Sequence, residues 1–147
     1  MADAAEKTDD RSGGFAPDDG DRLDFFIHRD GQTYAGNHLI IDLWEASRLD
    51  DPEHVESALI AAAEAAGATV LSSDFHVFTP NNGVSGVIVL AESHISIHTW
   101  PERAFAAVDV FMCGDAEPMK TIAELKRAFQ PARIGLQEIK RGLQAAE

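Results

Sequence analysis

Glu92-Ser93-His94-Ile95-Ser96-Ile97-His98-Thr99-Trp100-Pro101-Glu102 is the stretch around which the chain is organised. It holds two carboxylates, two serine hydroxyls, two imidazoles and an indole. An apolar run, 87–91, leads into it. A second, 104–112, leads out and ends at Cys113, the single cysteine of the chain. Alternation of side chains along an extended strand sets His94 and His98 on one face. The same alternation sets Ser93 and His98, five apart, on opposite faces.

Outward from this stretch, most of the chain reads as strands and two helices. Residues 38–44 alternate, with Leu39, Ile41 and Leu43 on one side and His38, Ile40 and Asp42 on the other. His38 is read as structural rather than catalytic. Asp51-Pro52-Glu53 opens a helix: Asp51 accepts from free amides, Pro52 suits the first helical position and Glu53 complements the dipole. Val55, Leu59, Ala62 and Ala66 form its apolar stripe, and Gly67 stops it. Residues 68–78 read as a strand with Val70, Phe75, Val77 and Phe78 as apolar members. Thr79-Pro80-Asn81-Asn82-Gly83 is a turn, 84–91 a strand interrupted by Gly86, and Pro101-Glu102-Arg103 a turn before the strand 104–112. A second helix is expected over 115–129, with Met119, Ile122, Leu125 and Phe129 inward. Pro131 ends it, and a last strand spans 132–139.

These elements predict an α+β two-layer sandwich, one antiparallel sheet with two helices on one face. Nothing in the chain remains to cover the other face, so two sheets are expected to stack in a homodimer. Residues 1–24 are rich in Asp, Gly and Ala and are expected to be a disordered acidic tail, with one domain over 25–147. Asp30-Gly31, after the apolar 23–28, suits a short hairpin turn.

The chain has 147 residues, 45% hydrophobic, and a net charge of −13 from 25 acidic and 12 basic residues. That balance argues against nucleic acid, which needs a basic footprint, and mildly favours cationic ligands. No run approaches the ~20 apolar residues of a membrane span, and the acidic N-terminus is no signal peptide. One cysteine permits no internal disulfide, which points to a cytoplasmic setting.

The central stretch resembles the self-cleavage motif of the prokaryotic S-adenosylmethionine decarboxylases, and the similarity runs from about Gly36 to the second helix. The resemblance implies autocatalytic cutting between Glu92 and Ser93, with Ser93 becoming a pyruvoyl cofactor. It implies that His98 is the base of processing, that Ser85 assists by hydrogen bonding, and that Cys113, twenty residues after Ser93, donates a proton during decarboxylation. It further implies that Phe78 stacks on adenine and Glu102 binds the ribose hydroxyls. Asn81-Asn82 carries one residue more than the family's turn. The expected activity is decarboxylation of S-adenosylmethionine to the aminopropyl donor of spermidine synthesis. A site built across the dimer interface would reconcile Ser93 with His98.

Two rival readings stand beside this one. Pyruvoyl enzymes of similar sequence decarboxylate L-ornithine or L-arginine, and the same motif would serve them. From the residues alone, His94 and His98 with His38, His76 and Asp109 could form a metal set, suggesting a metallohydrolase or metal-binding module. That reading leaves the Cys113 spacing unexplained, and no metal is expected.

Overall fold

Alternation along β3 (Gly36–Trp44) makes it an inner strand of the sheet, with a neighbour paired on each side. Leu39, Ile41 and Leu43 are wholly buried, while His38, Ile40 and Asp42 face the other way. The computed structural model describes residues 25–145; the expected tail at 1–24 lies outside the described residues.

A short hairpin, β1 (Ile27–Arg29) and β2 (Gln32–Tyr34), turns at Asp30-Gly31 and precedes β3. The remaining elements are α1 (Pro52–Ala65), β4 (Val70–Phe78), β5 (Gly83–Leu90), β6 (Ser93–Trp100), β7 (Phe105–Met112), α2 (Thr121–Phe129) and β8 (Arg133–Arg141). Strands β4-β5-β6-β7-β3-β8, in that order, form one antiparallel six-stranded sheet. Both helices pack on one face, where Val55, Leu59, Leu125 and Phe129 join Leu39, Ile41, Ile88, Ile95, Ile97 and Val110 in one core. The expected α+β architecture is the one observed.

Local chemistry sets the boundaries. Asp51 caps α1, its carboxylate accepting from the His54 amide at 3.2 Å, with Pro52 in the first turn. Gly67, at φ 85°, follows the helix end and donates to the Glu64 carbonyl. The Phe75 ring lies across Gly86, where a Cβ would sit 2.0 Å from it, so the interruption in β5 admits an aromatic from the edge strand.

The bounds of the second helix and the last strand, and the place of Met119, need correcting. The second helix begins at Thr121 rather than 115, because Pro118–Lys120 forms a tight 3₁₀ turn whose Pro118 carbonyl accepts from the Thr121 hydroxyl. Met119 is therefore 48% exposed rather than inward. Val77 and Phe78 lie exposed at the end of the edge strand β4. The last strand runs to Arg141, two residues past its expected end.

Candidate active site

The chemistry-bearing residues fall into two groups at opposite ends of β6. The first lies at the turn between β5 and β6, where Leu90 pairs with Ser93 and only Ala91 and Glu92 intervene. Glu92 adopts φ 66°, a left-handed conformation that costs a side-chain-bearing residue roughly 1–2 kcal/mol. Its carbonyl oxygen accepts from the Cys113 thiol at 2.7 Å. The Cys113 amide donates to Ser93 Oγ at 3.4 Å. Burial pushes the Cys113 thiol up from its ordinary value, the nearby Glu92 carboxylate adds to this, and the Ser93 hydrogen bond opposes it. The thiol is thus held protonated at neutral pH.

The second group lies at the far end, where Phe78, Thr79, Pro80, Asn81, Gly83, Ser85, His98, Thr99, Trp100 and Glu102 line an open pocket of about 200 Å³. Ser85 Oγ and His98 Nδ1 are 2.9 Å apart, and the His98 and Trp100 rings tilt together at 6.3 Å. Buried Thr99 pins the wall: its hydroxyl accepts from the Val84 amide and donates to the Leu49 carbonyl, both at 2.8 Å. Gly83 is needed there, since a Cβ would fall 2.8 Å from the Thr99 carbonyl oxygen. Trp100 is 40% exposed and lines this pocket, a place the sequence reading did not assign to it. Its shared parity with His98 was the available signal.

Thus Glu92, Ser93 and Cys113 come together, as do Phe78, Ser85, His98 and Glu102, but the two sets stay apart. Five residues of strand separate Ser93 from His98, about 16 Å at about 3.3 Å per residue. Ser93 has the parity of the buried Ile95 and Ile97, and His98 that of the uncovered face.

Between the two groups, the uncovered face carries a polar cluster that sequence reading raised only as a metal set. Asp109 Oδ2 accepts from His38 Nε2 at 2.6 Å and lies 3.3 Å from His94 Nε2, while Ser96 donates to Oδ1. The three His and Asp ligand atoms lie within 4.8 Å of one another, with His76 and His98 outside the group. A metal-bound imidazole usually donates its second nitrogen to an acceptor. Here His38 Nδ1 instead faces the Arg141 guanidinium, a donor, at 2.9 Å. That fixes the His38 proton on Nε2, aimed at Asp109, and the donors are arranged as a hydrogen-bonded cluster. Burial, the largest influence, raises the Asp109 carboxyl, but hydrogen bonds from Ser96, His38 and His94 outweigh it and hold it below its ordinary value.

A six-stranded antiparallel sheet backed by two helices, with a strained serine-bearing turn and a separate pocket, defines an α+β protein with a split polar site. The profile of the family described as S-adenosylmethionine decarboxylase matches residues 37–142, and the chain belongs to this family. The chain is 48% identical over 111 residues to the S-adenosylmethionine decarboxylase proenzyme of Methanococcus maripaludis (strain C7), covering 74% of this chain and 90% of that one. It is 44% identical over 110 residues to the proenzyme of the same description from Thermotoga maritima, covering 73% and 84%. The crystal structure of the adenosylmethionine decarboxylase from Aquifex aeolicus VF5 superposes with a TM-score of 0.69 at 36% identity, covering 78% of this chain and 96% of that one.

Proposed function

We propose that the chain is a self-cutting proenzyme that becomes a pyruvoyl-dependent decarboxylase of S-adenosylmethionine. The observation that carries this reading is the Glu92-Ser93 bond, set at a strained turn with its carbonyl oxygen already accepting from Cys113. Cutting begins when Ser93 Oγ adds to the Glu92 carbonyl carbon and an ester replaces the amide. Elimination then leaves a carboxylate on Glu92, and hydrolysis with loss of ammonia leaves a pyruvoyl cap on the chain that began at Ser93. The residues at the turn suit such a group: Ser93 is its only covalent source, and Cys113 lies in hydrogen-bonding contact with both Ser93 and Glu92.

The pyruvoyl group supplies an electrophilic ketone conjugated to an amide, a sink for the electron pair released with CO₂. The chain's own residues do the rest. Cys113 holds a proton on Sγ beside the reacting position. Ser85 and His98 form a hydroxyl–imidazole pair in which His98 serves as base during cutting. Glu102 offers two oxygens to a vicinal diol, and Phe78 and Trp100 offer faces to a purine.

A homodimer completes the site in this reading. The pocket is smaller than the 300–1,000 Å³ usual for ligand sites. The uncovered sheet face exposes Ile40, Val89, Ile139, Trp100 and Phe78, an apolar surface suited to a second sheet. Stacking face to face would bring His98 and the pocket of one protomer toward Ser93 of the other. The net charge of −13 suits a sulfonium substrate. Among the described residues no helix is long and apolar enough to cross a membrane, and a cytoplasmic setting belongs to the same proposal. Denaturing intact-mass analysis, followed by CO₂ release from S-adenosylmethionine, ornithine and arginine supplied separately, tests the reading. Two chains divided at residue 92 and release from the sulfonium alone are expected. A single uncut mass, or release from ornithine or arginine instead, overturns it.

A further inference from the structure

The described residues ahead of the matched family span, 25–36, lie against the loop that carries Cys113. The Phe25 carbonyl accepts from the Gly114 amide at 3.1 Å. A Cβ at Gly114 would meet the edge of the Phe25 ring at 3.8 Å, so the ring lies beside that glycine. Glu117, at the far end of the same loop, pairs with Lys120 and is attracted more weakly by Arg29 in β1. The hairpin itself is anchored. Tyr34 and Ile27 are buried, Ala35 donates to the Arg141 carbonyl at 2.7 Å, and Gln144 donates to the Thr33 carbonyl at 2.9 Å. Phe25 holds φ 59°, an uncommon conformation for a bulky side chain.

We propose that residues 25–34 are a positioning strap for Cys113. Gly114, at φ 66°, follows Cys113 directly, and its amide has Phe25 as partner. The strap holds the backbone of the Cys113–Glu117 loop from the outside, while the Glu92 carbonyl holds the thiol from the inside. A loop free at Gly114 would let Sγ swing away from the reacting position, and the protein would then lose the direction of proton delivery rather than its fold. Phe25 and Arg29 are positioning residues, acting through Cys113, and the inference rests on the reading of Cys113 as proton donor.

The test uses the full chain. In a Ser93→Ala background the chain stays uncut and Cys113 is the only thiol, so its alkylation by iodoacetamide can be followed against pH. Phe25→Ala combined with Arg29→Glu is expected to raise the alkylation rate about 10-fold, through local opening of the loop. Leu125→Ala, which destabilises the core elsewhere, is expected to leave that rate unchanged while lowering the melting temperature. In the cutting-competent chain the double variant is expected to be cut normally, yet to accumulate an N-terminal alanine on the chain beginning at residue 93 during turnover. That alanine forms when the proton, and with it the substrate's nitrogen, ends on the pyruvoyl-derived carbon while the substrate leaves as an aldehyde. Alkylation in the double variant within about two-fold of the parent, or equal acceleration by Leu125→Ala, overturns the strap. If alkylation accelerates but Cys113→Ala decarboxylates at the parent rate, the strap stands as a holder of the thiol and the donor role of Cys113 falls.

Discussion

The Cys113 thiol donates to the carbonyl oxygen of Glu92 at 2.7 Å, across twenty-one residues of sequence. That oxygen belongs to the bond proposed to be cut, so one side chain touches both halves of the proposed chemistry. In the proposed scheme the thiol polarises, before cutting, the carbonyl that Ser93 attacks, and afterwards supplies the proton delivered to substrate. A thiol is a weak hydrogen-bond donor, so its help in cutting is modest. Cys113→Ala is expected to slow cutting by no more than about 10-fold, as befits loss of one hydrogen bond of about 1 kcal/mol. Decarboxylation should fall by about 10²–10⁴-fold, the usual contribution of a positioned acid. Timed intact-mass analysis and CO₂ release measure the two separately, and equal losses in both would remove the distinction.

Glu92 carries the turn at φ 66°. In the Ser93→Ala chain, Glu92→Gly is expected to stabilise the fold by about 1 kcal/mol, because glycine adopts this conformation without a Cβ clash. In the cutting-competent chain the same substitution should slow cutting by up to about 5-fold, since strain relieved beforehand no longer drives the attack. A melting temperature lowered by Glu92→Gly would show that the turn is not strained.

The opposite parity of Ser93 and His98 was legible in the sequence, because alternation along one strand needs no tertiary information. The inner faces of β3, β6 and β7 were legible for the same reason: Leu39, Ile97 and Val110 sit where alternation puts them. What alternation cannot supply is strand order. His38, His94 and Asp109 were named within a set of five that also held His76 and His98; which three meet depends on β7 lying between β3 and β6. The role of Arg141 was invisible, since it reaches His38 only because β8 pairs with the far edge of β3. Helical periodicity misplaced Met119 because it does not distinguish a 3₁₀ turn from the first turn of a helix. The strap at Phe25 lay beyond local reading altogether, being a backbone contact across 89 positions.

Asp109 is held below its ordinary carboxyl value by the hydrogen bonds that outweigh its burial. A carboxyl depressed in the folded state contributes stability above its unfolded value. That stability drains as pH falls from about 3.9, the unfolded value, through the lower folded one. Asp109→Asn should therefore destabilise the chain at pH 7 by about 2 kcal/mol, the scale of a hydrogen bond to a charged group. The gap between variant and parent should narrow as pH drops below about 4. Urea denaturation of the Ser93→Ala chain and its Asp109→Asn derivative, repeated down the pH scale, reads this directly. A gap that stays constant with pH would mean that the charge of Asp109 is not what the cluster stabilises.

The separation of Ser93 from His98 yields the last prediction. Within one chain the two sit on opposite faces, about 16 Å apart at about 3.3 Å per residue, too far for a serine and its base. Each alone should be necessary: Ser93→Ala gives an uncut chain, and His98→Ala one that is cut slowly or not at all. If His98 acts on the partner's serine, the two defects lie in different halves of one site. Pairing a Ser93→Ala chain with a His98→Ala chain then builds one site with an intact serine and an intact imidazole, and one with neither. Co-expression of the two, distinguished by tags of different mass, should restore cutting in the His98→Ala chain alone, in up to about half of the mixed dimers' chains by the pairing logic of a two-fold interface. The Ser93→Ala chain should remain whole throughout. Size-exclusion chromatography with light scattering on the same mixture fixes the oligomeric state. No cutting in mixed dimers of confirmed stoichiometry would mean that His98 does not serve across the interface, and the single-chain geometry would then exclude it as the base.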